Sequence, residues 1–203
     1  MTAAAAVLIV ALGDSTTAGT PMFKSPIEAP PNGSGDRAAS WPAQLEATHP
    51  GWTVLNRGVN GERSDQIAAR FDRDVLAAHP QVVIIIAGVN DVYQGHSAES
   101  VTKNLRAMYD RAKAVRIPVV AGAIVPYNTA TPEQNAKMHA INEWIRIEST
   151  KDTNISFVDT RKAAARADNI DMLAGSPDGL HPDAAGYHRM ADALAPAIAA
   201  KIK

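Results

Sequence analysis

Residues 7–19 read VLIVALGDSTTAG, and this stretch decides the fold. Val7, Leu8, Ile9 and Val10 form an unbroken apolar, mostly β-branched run, the pattern of a strand buried on both faces. The run stops at Gly13, and the small polar side chains of Asp14 and Ser15 follow at once. Ligands of open α/β sheets bind outside the carboxyl ends of the strands, so a serine here stands where a nucleophile is displayed. Asp14 and Ser15 equally suit the N-cap of a following helix, so the case for chemistry has to come from the rest of the chain.

Composition narrows the classes. The 203 residues fit one domain, residues 1–203, large enough to bury most of the surface of the unfolded chain. Hydrophobic residues make up 46% and charged residues 20%, a globular profile. The formal net charge of -1 supplies no field to steer the protein toward nucleic acid or an anionic membrane. The absence of cysteine excludes disulfide scaffolds, thiolate metal sites and cysteine nucleophiles. Alanine-rich residues 1–11 lack the basic segment of a secretory signal and lead straight into the Gly13 turn, so they read as the first strand. No apolar stretch reaches the length of a membrane span. The expectation is a soluble, cytoplasmic protein, with secretion the alternative if a signal peptide has been removed.

Downstream, residues 20–40 (TPMFKSPIEAPPNGSGDRAAS) read as a long irregular loop, of the kind that serves as a lid or binding loop. Residues 41–49 read as a helix with Ser40 as cap and Pro42 in its first turn. A short strand over 52–55 runs into NRGVNGERS, and Ser64 opens an amphipathic helix carrying Ile67, Phe71, Val75 and Leu76 to an end at His79 and Pro80. Residues 82–87 (VVIIIA) are a second wholly apolar strand, ending in GVND. The helix begun at Ser97 places Val101, Leu105, Met108 and Val115 on one face. Residues 119–125 are a strand and 126–131 a loop; Thr131 and Pro132 cap and start a helix with Met138, Ile141, Trp144 and Ile145 inward. Residues 155–158 are a fifth strand, 159–179 are polar with one helical turn, and Pro182 opens the last helix. Strands alternating with helices of this length predict βαβ crossovers and a five-stranded parallel sheet in a three-layer α/β/α domain.

Three strand ends carry polar and glycine content: GDS, NRGVNG and GVND. A fourth piece, PDGLHP over 177–182, sets Asp178 three residues from His181, close enough for the carboxylate to orient the imidazole. Serine, histidine and carboxylate are the parts of a nucleophilic triad.

With these four pieces the chain resembles the GDSL esterases and lipases of the SGNH hydrolase superfamily. Its four blocks occur in order: Gly13-Asp14-Ser15; Asn56, Gly58 and Gly61 as N-x-G-x-x-G; Gly88, Asn90 and Asp91 as G-x-N-D; and Asp178 and His181 as D-x-x-H. The resemblance implies a flavodoxin-like five-stranded parallel sheet and a serine esterase working through an acyl-enzyme without metal or cofactor. Ser15 is then the nucleophile, His181 the general base and acid, and Asp178 its orienting carboxylate. The oxyanion hole is the backbone N–H of Ser15, the backbone N–H of Gly61 (the last glycine of its block, in preference to Gly58) and the Asn90 amide. Each preorganised donor of that kind is worth roughly 10²–10³ in rate. The first block continues STTAG without the leucine of the family name, and the 20–40 loop is longer than in minimal members.

The implied substrate is a small-molecule ester, short-chain acyl or acetyl; acetyl-carbohydrate, lysophospholipid or thioester hydrolysis and acyl transfer share the same triad. The rival from outside enzymes is a flavodoxin-like binding domain, but no phosphate-cradling G-x-x-x-x-G-K-[ST] or G-x-G-x-x-G occurs. No G-x-S-x-G elbow of an α/β-hydrolase is present either. Val92, Tyr93, Pro126 and Tyr127 follow strand ends and are candidate pocket walls. His49 and His79 read as helix-end residues, His96 and His139 as surface residues, and His188 as a second histidine that could face the cleft. Asp14 and Asp91 read as structural hydrogen-bonding residues, and Trp41, Trp52 and Trp144 as packing.

Overall fold

Alternate residues of the first apolar run have apolar layers waiting on both sides, and that is why it forms strand β1 (Val7–Gly13). Ile9 and Ala11 enter one core, Val10 and Leu12 the other. The computed structural model describes residues 6–202. The expected strand therefore begins at Val7, and its portion over residues 1–5 lies outside the described residues.

A one-turn helix α1 (Ser15–Ala18), a ribbon of β2 (Phe23–Lys24) and β3 (Ser34–Gly35), and α2 (Trp41–Thr48) follow. Strand β4 (Trp52–Gly58) leads to α3 (Ser64–Ala69) and α4 (Phe71–Asp74), and β5 (Val82–Ile86) to α5 (Val89–Tyr93) and α6 (Ala98–Ala114). Strand β6 (Val119–Gly122), α7 (Pro132–Lys151), β7 (Ile155–Val158) and α8 (Thr160–Ala164) come next. A second ribbon, β8 (Ala165–Arg166) with β9 (Asn169–Leu173), and α9 (Ala184–Lys201) complete the order.

The main sheet is five-stranded and parallel in the order β4-β1-β5-β6-β7. Helices α2 and α9 cover one face through Trp41, Leu45, Tyr187, Met190 and Leu194. Helices α3, α6 and α7 cover the other through Ile67, Leu105, Met108, Met138 and Ile141. This is the expected three-layer α/β/α arrangement with flavodoxin-like strand order. The chain leaves β1 for β4 on one side and returns to β5 on the other, so the topological switch lies between β1 and β5. The crevice at their carboxyl ends is where such sheets bind ligands.

Several local expectations are corrected. Strand β4 extends to Gly58, beyond the expected 52–55, because it pairs with β1 along its whole length, ending Gly13↔Gly58. Strand β6 stops at Gly122, not at 125, because the Asn142 side chain replaces a strand neighbour: it accepts from Ile124 N (2.7 Å) and donates to Ile124 O (3.0 Å). The single helix expected from Ser64 to His79 is α3, α4 and a turn over 76–78, with its first break at Arg70. Val115 lies past the end of α6 and is 52% exposed, so it does not share the buried face of Val101, Leu105 and Met108. Asp183 caps the last helix, which starts at Ala184, two residues after Pro182. The 159–179 segment contains the β8–β9 ribbon as well as the helical turn.

Arg70 explains its own break. Its buried guanidinium donates to Gly13 O (2.8 Å) and Arg57 O (2.9 Å), clamping together the carboxyl ends of β1 and β4. Its other partners are Glu62 (2.6 Å) and Asp74 (2.6 Å). Removing one member of a buried charged network leaves the others unpaired and costs about 3–5 kcal/mol. Arg70→Ala is expected to lower the free energy of unfolding by about that amount, measured by urea denaturation; a loss below about 1 kcal/mol would contradict the clamp.

Candidate active site

The turn after β1 is built by Asp14. Its Oδ1 accepts from Thr16 N (2.9 Å), capping α1, so the capping role and the display of Ser15 coexist. Trp41 Nε1 donates to Thr16 O (3.1 Å) and fixes the same turn from α2. Helix α1 lies directly against the end of β4. A Cβ on Gly58 would come within 2.1 Å of Ala18 N, so only glycine allows that approach.

Ser15 is 6% exposed and meets His181 across 2.9 Å between Oγ and Nε2. His181 Nδ1 lies 2.7 Å from Asp178 Oδ2. The other carboxylate oxygen, Oδ1, accepts from the backbone N–H of Leu180 (2.9 Å) and of His181 (2.8 Å). Burial opposes ionisation of Asp178, but the His181 hydrogen bond and these two N–H groups outweigh it and hold the carboxyl below its ordinary value. Ser176, which sequence reading passed over, ties the loop: its Oγ donates to His181 O (2.7 Å) and accepts from Gly179 N (2.8 Å). The protons follow from the partners: Nδ1–H faces the carboxylate and Nε2 accepts from Ser15 Oγ–H.

Gly61 and Asn90 line the same pocket as Ser15 and His181. Gly61 has φ +75°, a left-handed conformation that favours glycine. Neither Ser15 N–H nor Gly61 N–H has a partner among the described residues. The Asn90 amide donates one N–H to Glu62 O (2.9 Å), which leaves its second N–H for the pocket. Asp91 beside it is buried and accepts from Ser64 N (2.8 Å) and Ser64 Oγ (2.7 Å), capping α3 as its structural reading expected.

The pocket holds about 300 Å3. Of the four wall residues expected, Tyr93 and Tyr127 line it, while Val92 lies fully in the core and Pro126 is buried away from it. Val89 and Leu180 complete its apolar lining. Tyr93 is 56% exposed and meets Tyr127 edge to face at 5.7 Å. Burial pushes the Tyr127 hydroxyl up from its ordinary value, with Tyr93 adding to it. His188 does not face the cleft, since its Nε2 lies 2.9 Å from Ala38 O. His139, with its side chain 43% exposed, pairs with Asp171 at 2.7 Å on the surface. Among the described residues no group of three or more His, Asp or Glu side chains is placed to hold a metal ion.

Residues 11–189 match the GDSL-like Lipase/Acylhydrolase family. The chain is 28% identical over 167 residues to the acetylxylan esterase of Geobacillus stearothermophilus, covering 74% of each. It is 24% identical over 146 residues to platelet-activating factor acetylhydrolase IB subunit alpha1 of Bos taurus, covering 70% of this chain and 61% of that subunit. A solved lipolytic protein of the G-D-S-L family from Desulfitobacterium hafniense superposes with a TM-score of 0.75 at 30% identity, covering 94% of this chain and 98% of the other. The chain therefore belongs to the GDSL-like lipase/acylhydrolase family within the SGNH hydrolases. It is a carboxylic ester hydrolase.

One carboxyl in the site is perturbed strongly. Burial pushes Asp14 from 3.8 up to about 7, against its hydrogen bonds from Thr16, with Asp91 adding and Arg70 opposing. Its Oδ2 has no partner among the described residues. A carboxyl whose folded value lies above its unfolded value binds protons on folding, so its contribution is present at low pH and is lost as pH rises through about 7. Ionising it in place costs on the order of 4 kcal/mol. Asp14→Asn keeps the acceptor for Thr16 N–H and removes the titration. The variant's melting temperature should gain on wild type as pH rises from about 4 to about 7; a constant difference across that window would contradict the assignment.

Proposed function

We propose that the chain hydrolyses short-chain acyl esters, acetylated carbohydrates foremost, through an acyl-enzyme on Ser15. The observation that carries the reading is the His181 imidazole held between Ser15 Oγ at 2.9 Å and Asp178 at 2.7 Å beside a small open pocket. His181 Nε2 takes the Ser15 proton as Oγ attacks the ester carbonyl carbon. The resulting oxyanion is met by Ser15 N–H, Gly61 N–H and the free N–H of Asn90. The carbon–oxygen bond then breaks, and His181 returns the proton to the leaving alcohol. In the second half His181 deprotonates water, which attacks the acyl carbon and releases the acid and Ser15. Asp178 holds the imidazole in the required tautomer throughout.

Size supports the acyl preference. A pocket of about 300 Å3 lies at the small end of the range for ligand sites and suits an acetyl group better than a long tail. The exposed ring of Tyr93 at the rim offers a flat apolar face to the alcohol half of the substrate, the kind of surface on which sugar rings stack. Two curated relatives are named for acetyl esters, which agrees with this preference.

The test is a p-nitrophenyl series from acetate to palmitate, with acetylated xylo-oligosaccharides alongside. Ser15→Ala should lose at least about 10⁴-fold in kcat while melting like wild type; retained turnover would remove Ser15 from the role. Asn90→Ala should lose about 10²–10³-fold in kcat, and palmitate turned over faster than acetate would overturn the short-acyl reading.

A further inference from the structure

The 20–40 segment, which reads in sequence as a long irregular loop of lid or binding type, makes polar contacts that run inward to the second block. Ser25 is fully buried, and its Oγ donates to Gly58 O at 2.5 Å. Three residues on, the Glu28 carboxylate reaches Asn60: Oε1 accepts from Asn60 N (3.0 Å) and Nδ2 (2.8 Å), and Oε2 from Nδ2 (2.9 Å). Thr20 Oγ1 donates to Asn60 Oδ1 at 2.5 Å, so every polar atom of that side chain is held by the loop. Asn60 immediately precedes Gly61. On the far side of Gly61, Glu62 is held by Asn90 through its carbonyl and by Arg70 through its carboxylate. Gly61 is exposed, has φ +75°, and nothing lies within 4 Å of where its Cβ would be. Packing therefore does not fix the direction of its N–H; the peptide is oriented by the turn bond from Glu62 N to Val59 O (3.4 Å) and by what holds its two neighbours.

We propose that Glu28 is a positioning residue for ester hydrolysis, aiming Gly61 N–H at the oxyanion through its grip on Asn60. This rests on the oxyanion role given to Gly61 above. The role suits a carboxylate of this length. One group spans from the loop to both a backbone and a side-chain donor, and charge-assisted hydrogen bonds are the stronger kind. An oxyanion donor has to be in place before the charge develops, so a mis-set peptide lowers kcat without weakening ground-state binding.

The experiment measures kcat and KM on p-nitrophenyl acetate for Glu28→Ala, Glu28→Asp and Glu28→Gln, each normalised to active sites titrated with a fluorophosphonate. Labelling of wild type at Ser15 tests the nucleophile separately, so an unlabelled wild type would defeat the proposed function rather than the role of Glu28. Glu28→Ala and Glu28→Asp should each lose about 10–100-fold in kcat per titrated site with KM within about twofold, because aspartate keeps the charge but falls short. Glu28→Gln, which retains one acceptor of full reach, should stay within about fivefold of wild type. If alanine fails to fold, the contrast between aspartate and glutamine decides. Unchanged kcat per titrated site in Glu28→Asp, or a rise in KM with kcat intact, would overturn the proposal.

Discussion

The candidate site rests on a guanidinium that does not line its pocket. Arg70 sits beneath the carboxyl ends of β1 and β4 and donates to one backbone carbonyl of each, at Gly13 and Arg57. Parallel strands twist relative to one another, and at their ends nothing in the ladder itself fixes how far they splay. Ser15 hangs from one of these ends and Gly61 from the other. A two-pronged donor shared between the two carbonyls sets their separation. Two carboxylates, on Glu62 and Asp74, keep that donor compensated away from water. Arginine suits the task because its planar fork serves several acceptors at fixed angles.

Above that clamp the polar groups are held mainly by backbone. Asp178 receives two main-chain N–H groups on one oxygen and leaves the other for the imidazole. Asp14 spends one oxygen on the α1 cap. These side chains are thus oriented by short loops whose own hydrogen bonds close locally, while the sheet sets the distance between loops. Precision of this kind is what electrostatic stabilisation of a developing charge requires.

What was legible in the sequence follows this division. Val7 to Val10 and the VVIIIA run announce strands because both sheet faces are covered, and the small residues after each strand mark the crevice. Asp178 and His181 are readable because their contact is three residues long. Arg70, Glu28 and Asn60 are not readable in the same way. Arg70 reaches Gly13 across 57 residues, Glu28 reaches Asn60 across 32 and Asn60 reaches Thr20 across 40, and a buried arginine or half-buried glutamate looks like any surface charge until the chain is folded. The misplaced boundaries share this cause. Asn56 and Arg57 extend β4 although their polarity suggests a loop, and Ile124 leaves the sheet although its polarity suggests a strand, because a side chain from α7 supplies the pairing.

The contact between Ser15 and His181 spans 166 residues. Loop closure over such a length is deferred until the intervening elements have condensed, since non-local pairings repay their entropy late. During synthesis Ser15 leaves the ribosome long before His181 exists, and helix α9, which follows His181, must still dock against α2. On the proposed mechanism, ester cleavage therefore waits until His181 has reached Ser15. Under that mechanism the serine stays inert until then, and turnover reports that two segments 166 residues apart have met.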